Sequence, residues 1–345
     1  MDGASPRGKF SRCGHTVLPR SGGRVGWLLF LAVLLVPFAT GCGREPHMLN
    51  RPTTLRLTGD ETRLLILDTG NRRILISDLD FRNSRELRIP GVDPTEFPLW
   101  GLEVTGPSEF AVANRTRGTP GGPKHDADLV QISQILFFDF DGNQVHRIVW
   151  EGRDRALQFP LQLQALPGGD LIVADGDTAR LTRVRRDGQP LATFGRFGRK
   201  NGELHFPQDI CLLPDGNMLI VDTFNSCLRL FGPDGTFLRT VVEAGEEEGR
   251  VRFPQFVCRD RAGNFYCSEL ETMRVSVFDA DWRFRKALVP RIPDASAGKG
   301  RFFQLGGLAY AESRRELLVA DAFHSCIHVF DADGNWVRAT GAVHR

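Results

Sequence analysis

The chain lacks the short motifs that mark a catalytic centre. Gly-x-Ser-x-Gly, a P-loop, His-Glu-x-x-His and Cys-x-x-Cys are all missing from its 345 residues, so no nucleophile-and-base pair and no phosphate cradle can be named. It also lacks an excess of either charge, with 44 Lys and Arg against 42 Asp and Glu. The first 41 residues hold five of those cations and one of the anions, leaving 39 against 41, a net charge of −2, for the remainder. A slightly acidic body has no basic face for phosphates, so nucleic acid is excluded as an expected partner. No apolar run is long enough for a stable membrane span: the longest, Val25–Ala39, has 15 residues. Cysteine is scarce too. Beyond Cys13 and Cys42 there remain Cys211, Cys227, Cys258, Cys267 and Cys326, an odd number that leaves at least one thiol unpaired. These five read best as small buried fillers, and no cofactor is expected.

What the chain does have is a repeat, most complete between Thr193 and Val241. Ile210–Leu213, Met218–Val221, Leu228–Phe231 and Phe237–Val241 are short apolar runs. They are cut by Pro214-Asp215-Gly216, by Asp222-Thr223-Phe224-Asn225-Ser226 and by Pro233-Asp234-Gly235, turn chemistry that predicts a four-stranded antiparallel meander. One such sheet cannot bury both faces alone, so the unit must recur. An acidic or amide residue closes the second strand at Asp68, Asn114, Asp175, Asp222, Glu269 and Asp321. Pro52, Pro98, Pro160, Pro207 and Pro254 stand 15 or 16 residues before the first five of these, and Leu305-Gly306-Gly307-Leu308 takes that place in the sixth. Six units at this period predict an all-β, six-bladed β-propeller over residues 52–345 in which each blade owns four consecutive strands. Seven blades with one degenerate copy is the runner-up, for which no unassigned stretch is long enough.

Residues 52–342 resemble the NHL-repeat family, through Pro207, Ile210, Gly216, Asp222, Thr223, Asn225, Phe231, Asp234 and Gly235 in the best copy and through Asp68-Thr69-Gly70-Asn71-Arg72-Arg73-Ile74 in the first. That family includes enzymes, sensors and scaffolds, so the resemblance implies a fold more than an activity. Its amidating-lyase branch binds zinc through histidines directly after the repeat proline. Here those positions are Thr53, Leu99, Leu161, Gln208 and Gln255, with Gly306 in the last blade, and the zinc site does not carry over. His205 and His324 are the remaining candidates for a metal, and no metal is expected from them.

Ahead of the repeats, five basic residues precede Val25–Ala39, which ends in Ala39-Thr40-Gly41-Cys42. This is similar to a bacterial lipoprotein signal peptide and its lipobox. The similarity implies a signal over residues 1–41, a lipidated Cys42 and a tether to residue 51. Gly43 after the cysteine implies sorting to the outer membrane, and so a lipid-anchored, extracytoplasmic place in the cell envelope. A secreted protein with an incidental Cys42 is the alternative.

In such a ring, the turns after the second strands and the connections between blades share one face. The candidate binding residues gathered there are Asn71, Arg72, Trp100, Arg115, Arg117, Lys124, His205, Gln208, Asn225, Gln255 and His324. Blade two carries an insertion over residues 115–128, rich in Gly and Pro and expected to be irregular, that is expected to project over this face. The repeated carboxylates are expected to bind backbone N–H groups in the turns they open. Asp139–Asn143 and Asp331–Asn335 read as hairpin turns with a left-handed glycine, since neither has the downstream glutamate of a calcium loop. The expected function is a non-catalytic module, a monomer, that binds an envelope protein, peptide or glycan. The rival is an enzyme with a metal at the channel mouth, lyase-like or lactonase-like.

Overall fold

A computed structural model describes residues 48–87, 89, 99–117, 131–152, 156–290 and 302–341, without the side chains of 116, 117 and 131. Cys42 and Lys124 lie outside the described residues, as do the leader and most of the blade-two insertion. Among the described residues no helix is long and apolar enough to cross a membrane.

Blade one is β1 (Pro52–Leu57), β2 (Leu64–Asp68), β3 (Arg73–Ser77) and β4 (Ser84–Leu87). Blade two is β5 (Leu102–Gly106), β6 (Glu109–Arg117), β7 (Gln131–Asp139) and β8 (Gln144–Glu151). Blade three is β9 (Pro160–Ala165), β10 (Leu171–Asp175), β11 (Arg180–Val184) and β12 (Pro190–Phe194). Blade four is β13 (Pro207–Leu212), β14 (Met218–Asp222), β15 (Cys227–Phe231) and β16 (Phe237–Val242). Blade five is β17 (Pro254–Arg259), β18 (Phe265–Glu269), β19 (Arg274–Phe278) and β20 (Phe284–Leu288). Blade six is β21 (Leu305–Ala311), β22 (Glu316–Asp321), β23 (Cys326–Phe330) and β24 (Trp336–Thr340). Every sheet is antiparallel with its four strands in sequence order. First strands neighbour one another around the ring, β1 beside β5, β5 beside β9, and so on until β21 returns to β1. The protein is a closed six-bladed β-propeller in which no blade borrows a strand.

Packing explains why second strands read as unbroken apolar runs. In β2, Leu64 and Ile66 face blade six, whereas Leu65 and Leu67 face blade two. Alternation between two buried faces removes the polar half of the usual strand pattern. Similar clusters fill the other interfaces, such as Leu219, Val221, Val257 and Phe278 between blades four and five.

In blade six Leu305 takes the place of the repeat proline opposite Asp321, and closure between blades six and one accounts for the two glycines that follow it. A Cβ on Gly306 would lie 2.8 Å from the Thr53 carbonyl oxygen, and one on Gly307 would lie 2.6 Å from Leu55 N. Only glycine permits that backbone approach. The chain ahead of blade one adds a clasp. Leu49 N donates to the Gly341 carbonyl, Arg51 N donates to Ser325 Oγ, and the Leu49 side chain is buried between the two blades. Met48–Arg51 therefore belong to the folded body, which shortens the stretch that the sequence assigns to a tether.

Two further differences are local. First strands begin at the repeat proline, before the apolar run, because Pro52, Pro207 and Pro254 pair with the acidic residue of the second strand across a bulge. The insertion of blade two is not irregular from its start. Arg115, Thr116 and Arg117 continue β6 and pair with Ser133, Ile132 and Gln131, so the hairpin lengthens before residues 118–130, which lie outside the described residues.

Across the axis runs a buried ionic brace. Arg56 of β1 donates through Nε to Glu103 of β5 at 2.8 Å and through Nη2 to Asp209 of β13 at 3.0 Å. Glu103 also accepts from Gln164 of β9, and Asp209 accepts from Val257 N of β17. Burial raises the carboxyl groups of both Glu103 and Asp209 above their ordinary range, against the pull of Arg56.

Candidate functional site

The loop face is built around a carboxylate bracket. Asp222, fully buried at the end of β14, accepts His205 N at 2.7 Å from the incoming connection and Asn225 Nδ2 at 2.7 Å from the turn, and Arg229 Nε lies 2.8 Å away. Asp68 repeats this with Asn50 N, Asn71 Nδ2 and Arg73 Nε, and Glu269 with Arg252 N, Thr272 Oγ1 and Arg274 Nε. Asp175 uses four backbone N–H groups, of Gln158, Phe159, Asp177 and Thr178. Each bracket ties a blade connection to a turn, as a strand-ending carboxylate can. Burial pushes the Asp222 carboxyl up to about 6, despite those partners.

The turns close on a non-glycine residue in the left-handed region: Arg72, Ala179, Ser226, Met273 and Ser325, with φ between 52° and 57°. No glycine signals the conformation in the sequence. Ahead of the repeat prolines, Arg51, Phe206 and Phe253 are also left-handed, which the brackets hold in place.

In blade six the bracket changes chemistry. Asp321 accepts His324 N at 3.0 Å and His324 Nδ1 at 2.9 Å, and His328 Nε2 stands 3.6 Å from the same carboxylate. His324 occupies the place of Asn225 and His328 that of Arg229. Burial would raise the Asp321 carboxyl, yet the hydrogen bonds from the two histidines outweigh it and hold the group well below the usual range. The His324 side chain is 22% exposed, with its ring edge-on to Phe323.

The predicted binding residues divide. Asn71 donates to Asp68 and to the Met48 carbonyl, and Asn225 donates to Asp222 and to the Gly198 carbonyl, so both amides hold the scaffold. Gln255 donates to the carbonyl of Phe253. Gln208 is buried, with an Oε1 that finds no hydrogen-bond partner among the described residues. Arg72 is exposed. Trp100 meets Phe159 edge-on at 5.1 Å, and Arg115 pairs with Asp177 at 2.8 Å. Arg117 lies on β6, with its side chain outside the described residues. His205 sits between Phe197 and Phe224, and burial, helped by Arg199, lowers its pKa and favours the neutral ring. His205 and His324 are not brought into one ligand set; the histidine cluster among the described residues is Asp321, His324 and His328.

The aromatic surface was not foreseen. Phe197 in the connection to blade four is 66% exposed, and Phe303 and Phe323 in blade six are 52% and 47% exposed, with ring centroids 4.2 Å apart and planes tilted by 36°. Phe224 and Phe323 both stand two residues after the bracket acid, where blades three and five carry Asp177 and Glu271. That shared offset is the signal that could have located them. Beside Phe224 a cleft of about 270 Å³ opens between Arg199 and Asn201 on the incoming connection and Thr240 of β16 with Glu243 just after it.

No family model matches the sequence, and no curated protein matches it. Solved structures do match. A gluconolactonase from Xanthomonas campestris superposes with a TM-score of 0.57 at 16% identity, over 82% of this chain and 86% of its own. Virginiamycin B lyase from Staphylococcus aureus gives 0.54 at 12% identity, over 86% and 85%. A chain of a nidogen/laminin complex gives 0.55 at 16%, over 84% and 92%. At these identities the likeness concerns the propeller fold, which does not by itself define an activity.

Proposed function

We propose that this chain is an NHL-type propeller, tethered through Cys42 to a bacterial envelope membrane, whose loop face binds another macromolecule. The observation that carries the reading is the set of exposed phenylalanines Phe197, Phe303 and Phe323 on that one face. Exposed aromatic side chains on a rigid scaffold are typical anchors of recognition. Around them stand opposite charges, Arg196, Arg199 and Lys200 on one connection and Glu246, Glu247 and Glu248 on the next. Phenyl rings offer apolar area without a hydrogen-bonding edge, which favours a protein or peptide over a glycan. The bracket carboxylates are committed to backbone and side-chain donors, which leaves them poor catalytic groups. An enzymatic reading keeps one specific support, the Asp321–His324 pair, in which a buried carboxylate orients a partly exposed imidazole as in general-base sites. Photo-crosslinking from Phe323 tests the binding reading.

A further inference from the structure

We propose that blade six holds a divalent zinc-type cation, ligated by Asp321, His324 and His328 with Cys326 as the fourth ligand. Asp321, His324 and His328 each offer a ligand atom, all within 4.8 Å of one another. The Asp321 Oδ2 to His324 Nδ1 distance is 2.9 Å, Asp321 Oδ2 to His328 Nε2 is 3.6 Å, and His328 Nε2 to Cys326 Sγ is 3.4 Å. A tetrahedral zinc with bonds of about 2.0–2.3 Å has ligand–ligand edges of roughly 3.3–3.8 Å. Small side-chain movements would bring the Asp321, His324 and His328 atoms onto those edges, whereas Cys326, which touches the set only at His328, must swing inward to complete it.

Charge makes the same point. Asp68, Asp222 and Glu269 each face a permanent cation, Arg73, Arg229 and Arg274. Asp321 is as deeply buried, and imidazoles stand where blade four has Asn225 and Arg229. A doubly charged cation with one carboxylate and one thiolate is neutral, as the Asp222–Arg229 pair is neutral with Cys227 protonated. On binding, the Cys326 thiol gives one proton to water and each imidazole keeps its single proton on the nitrogen away from the metal. The His324 side chain is 22% exposed.

For His328 there is an obstacle that sharpens the test. Trp336 Nε1–H donates to His328 Nδ1 at 3.1 Å, and indole can only donate, so the metal-free ring carries its proton on Nε2. Ligation through Nε2 moves that proton to Nδ1 and must displace the half-buried indole. Zinc binding should therefore change the emission of Trp336, and Trp336→Phe should tighten the site. Loading would also fix the turn that presents Phe323 and the Ser325 hydroxyl of the clasp.

The experiment strips the purified full chain with a chelator and titrates it with zinc sulfate against a chromophoric competitor while tryptophan emission is followed. The expected result is one zinc per chain, with an emission change that disappears in Trp336→Phe. Affinity should fall roughly hundredfold in Cys326→Ser and in the double variant His324→Asn/His328→Arg. The double variant copies the side chains of blade four and so has a precedent for folding; a thermal melt checks it, and Cys326→Ser carries the test if it unfolds. Absence of a stoichiometric site, equal binding by the variants, or binding that leaves the Trp336 emission unmoved would overturn the proposal.

Discussion

Removing Arg56 is the most severe single perturbation the channel offers. Its guanidinium is the shared counter-ion of Glu103 and Asp209, whose side chains are 10% and 1% exposed. In Arg56→Met the aliphatic stem stays but two buried carboxylates lose their partner, a loss that typically costs about 3–5 kcal/mol. For a domain this large, about 2–4 °C per kcal/mol translates this into a melting temperature lower by roughly 6–20 °C at neutral pH. The pH dependence has a definite sign. Carboxyl groups whose pKa is raised on folding give stability that is complete below their unfolded pKa and is lost as pH rises through the folded one. Glu103 and Asp209 are raised already, through burial, and lose the restraint of the Arg56 charge in the variant. The gap between parent and variant should therefore widen from pH 5 to pH 8 and narrow again on acidification. Thermal melts followed by circular dichroism across that range check it. A variant that melts within 2 °C of the parent, a margin of about 1 kcal/mol by the same scaling, or a gap that does not move with pH, would refute the brace.

Two other perturbations follow from the fold and a third from the proposed anchor. Gly307→Ala places a methyl group 2.6 Å from Leu55 N, and a backbone shift at the closure should cost about 1–3 kcal/mol, read as a lower urea midpoint. Leu49→Ala removes a buried side chain from the interface of blades six and one and should cost about 2–4 kcal/mol, whereas an unchanged midpoint would show that the clasp is dispensable. Cys42→Ser should abolish incorporation of labelled palmitate in a bacterial host and release the chain from membranes; continued membrane fractionation would place the anchor elsewhere.

The blade plan is legible because second strands are buried on both faces. Leu64–Leu67, Met218–Val221 and Leu317–Ala320 can be nothing but apolar, and each ends in an acid whose bracket repeats. Turn residues with positive φ at Gly142, Gly216, Gly235 and Gly334 marked the hairpins, and Asp139 and Asp331 spend their carboxylates on turn N–H groups. The brace stayed hidden because Arg56 and Asp209 are 153 residues apart and carry no local pattern. The Gly306-Gly307 pair was visible as an exception, but its cause lies in Thr53 and Leu55, across the closure. Among the candidate residues, Asn71 and Asn225 were legible as polar turn positions, but their polarity serves the scaffold. Sequence reasoning passed over Phe197, Phe303 and Phe323, of which Phe323 alone carried a sign, its place two residues after the bracket acid.

The claim that the loop face is the binding surface is tested most directly by placing a photo-crosslinking phenylalanine analogue at Phe323 and, in a second variant, at Asp234 in the hairpin turn on the opposite face. Both variants should melt as the parent does. After irradiation in envelope preparations, the account predicts a discrete, reproducible adduct from position 323 and none from position 234. Adducts from position 234 alone, equal labelling from both, or no adduct from position 323 would contradict it.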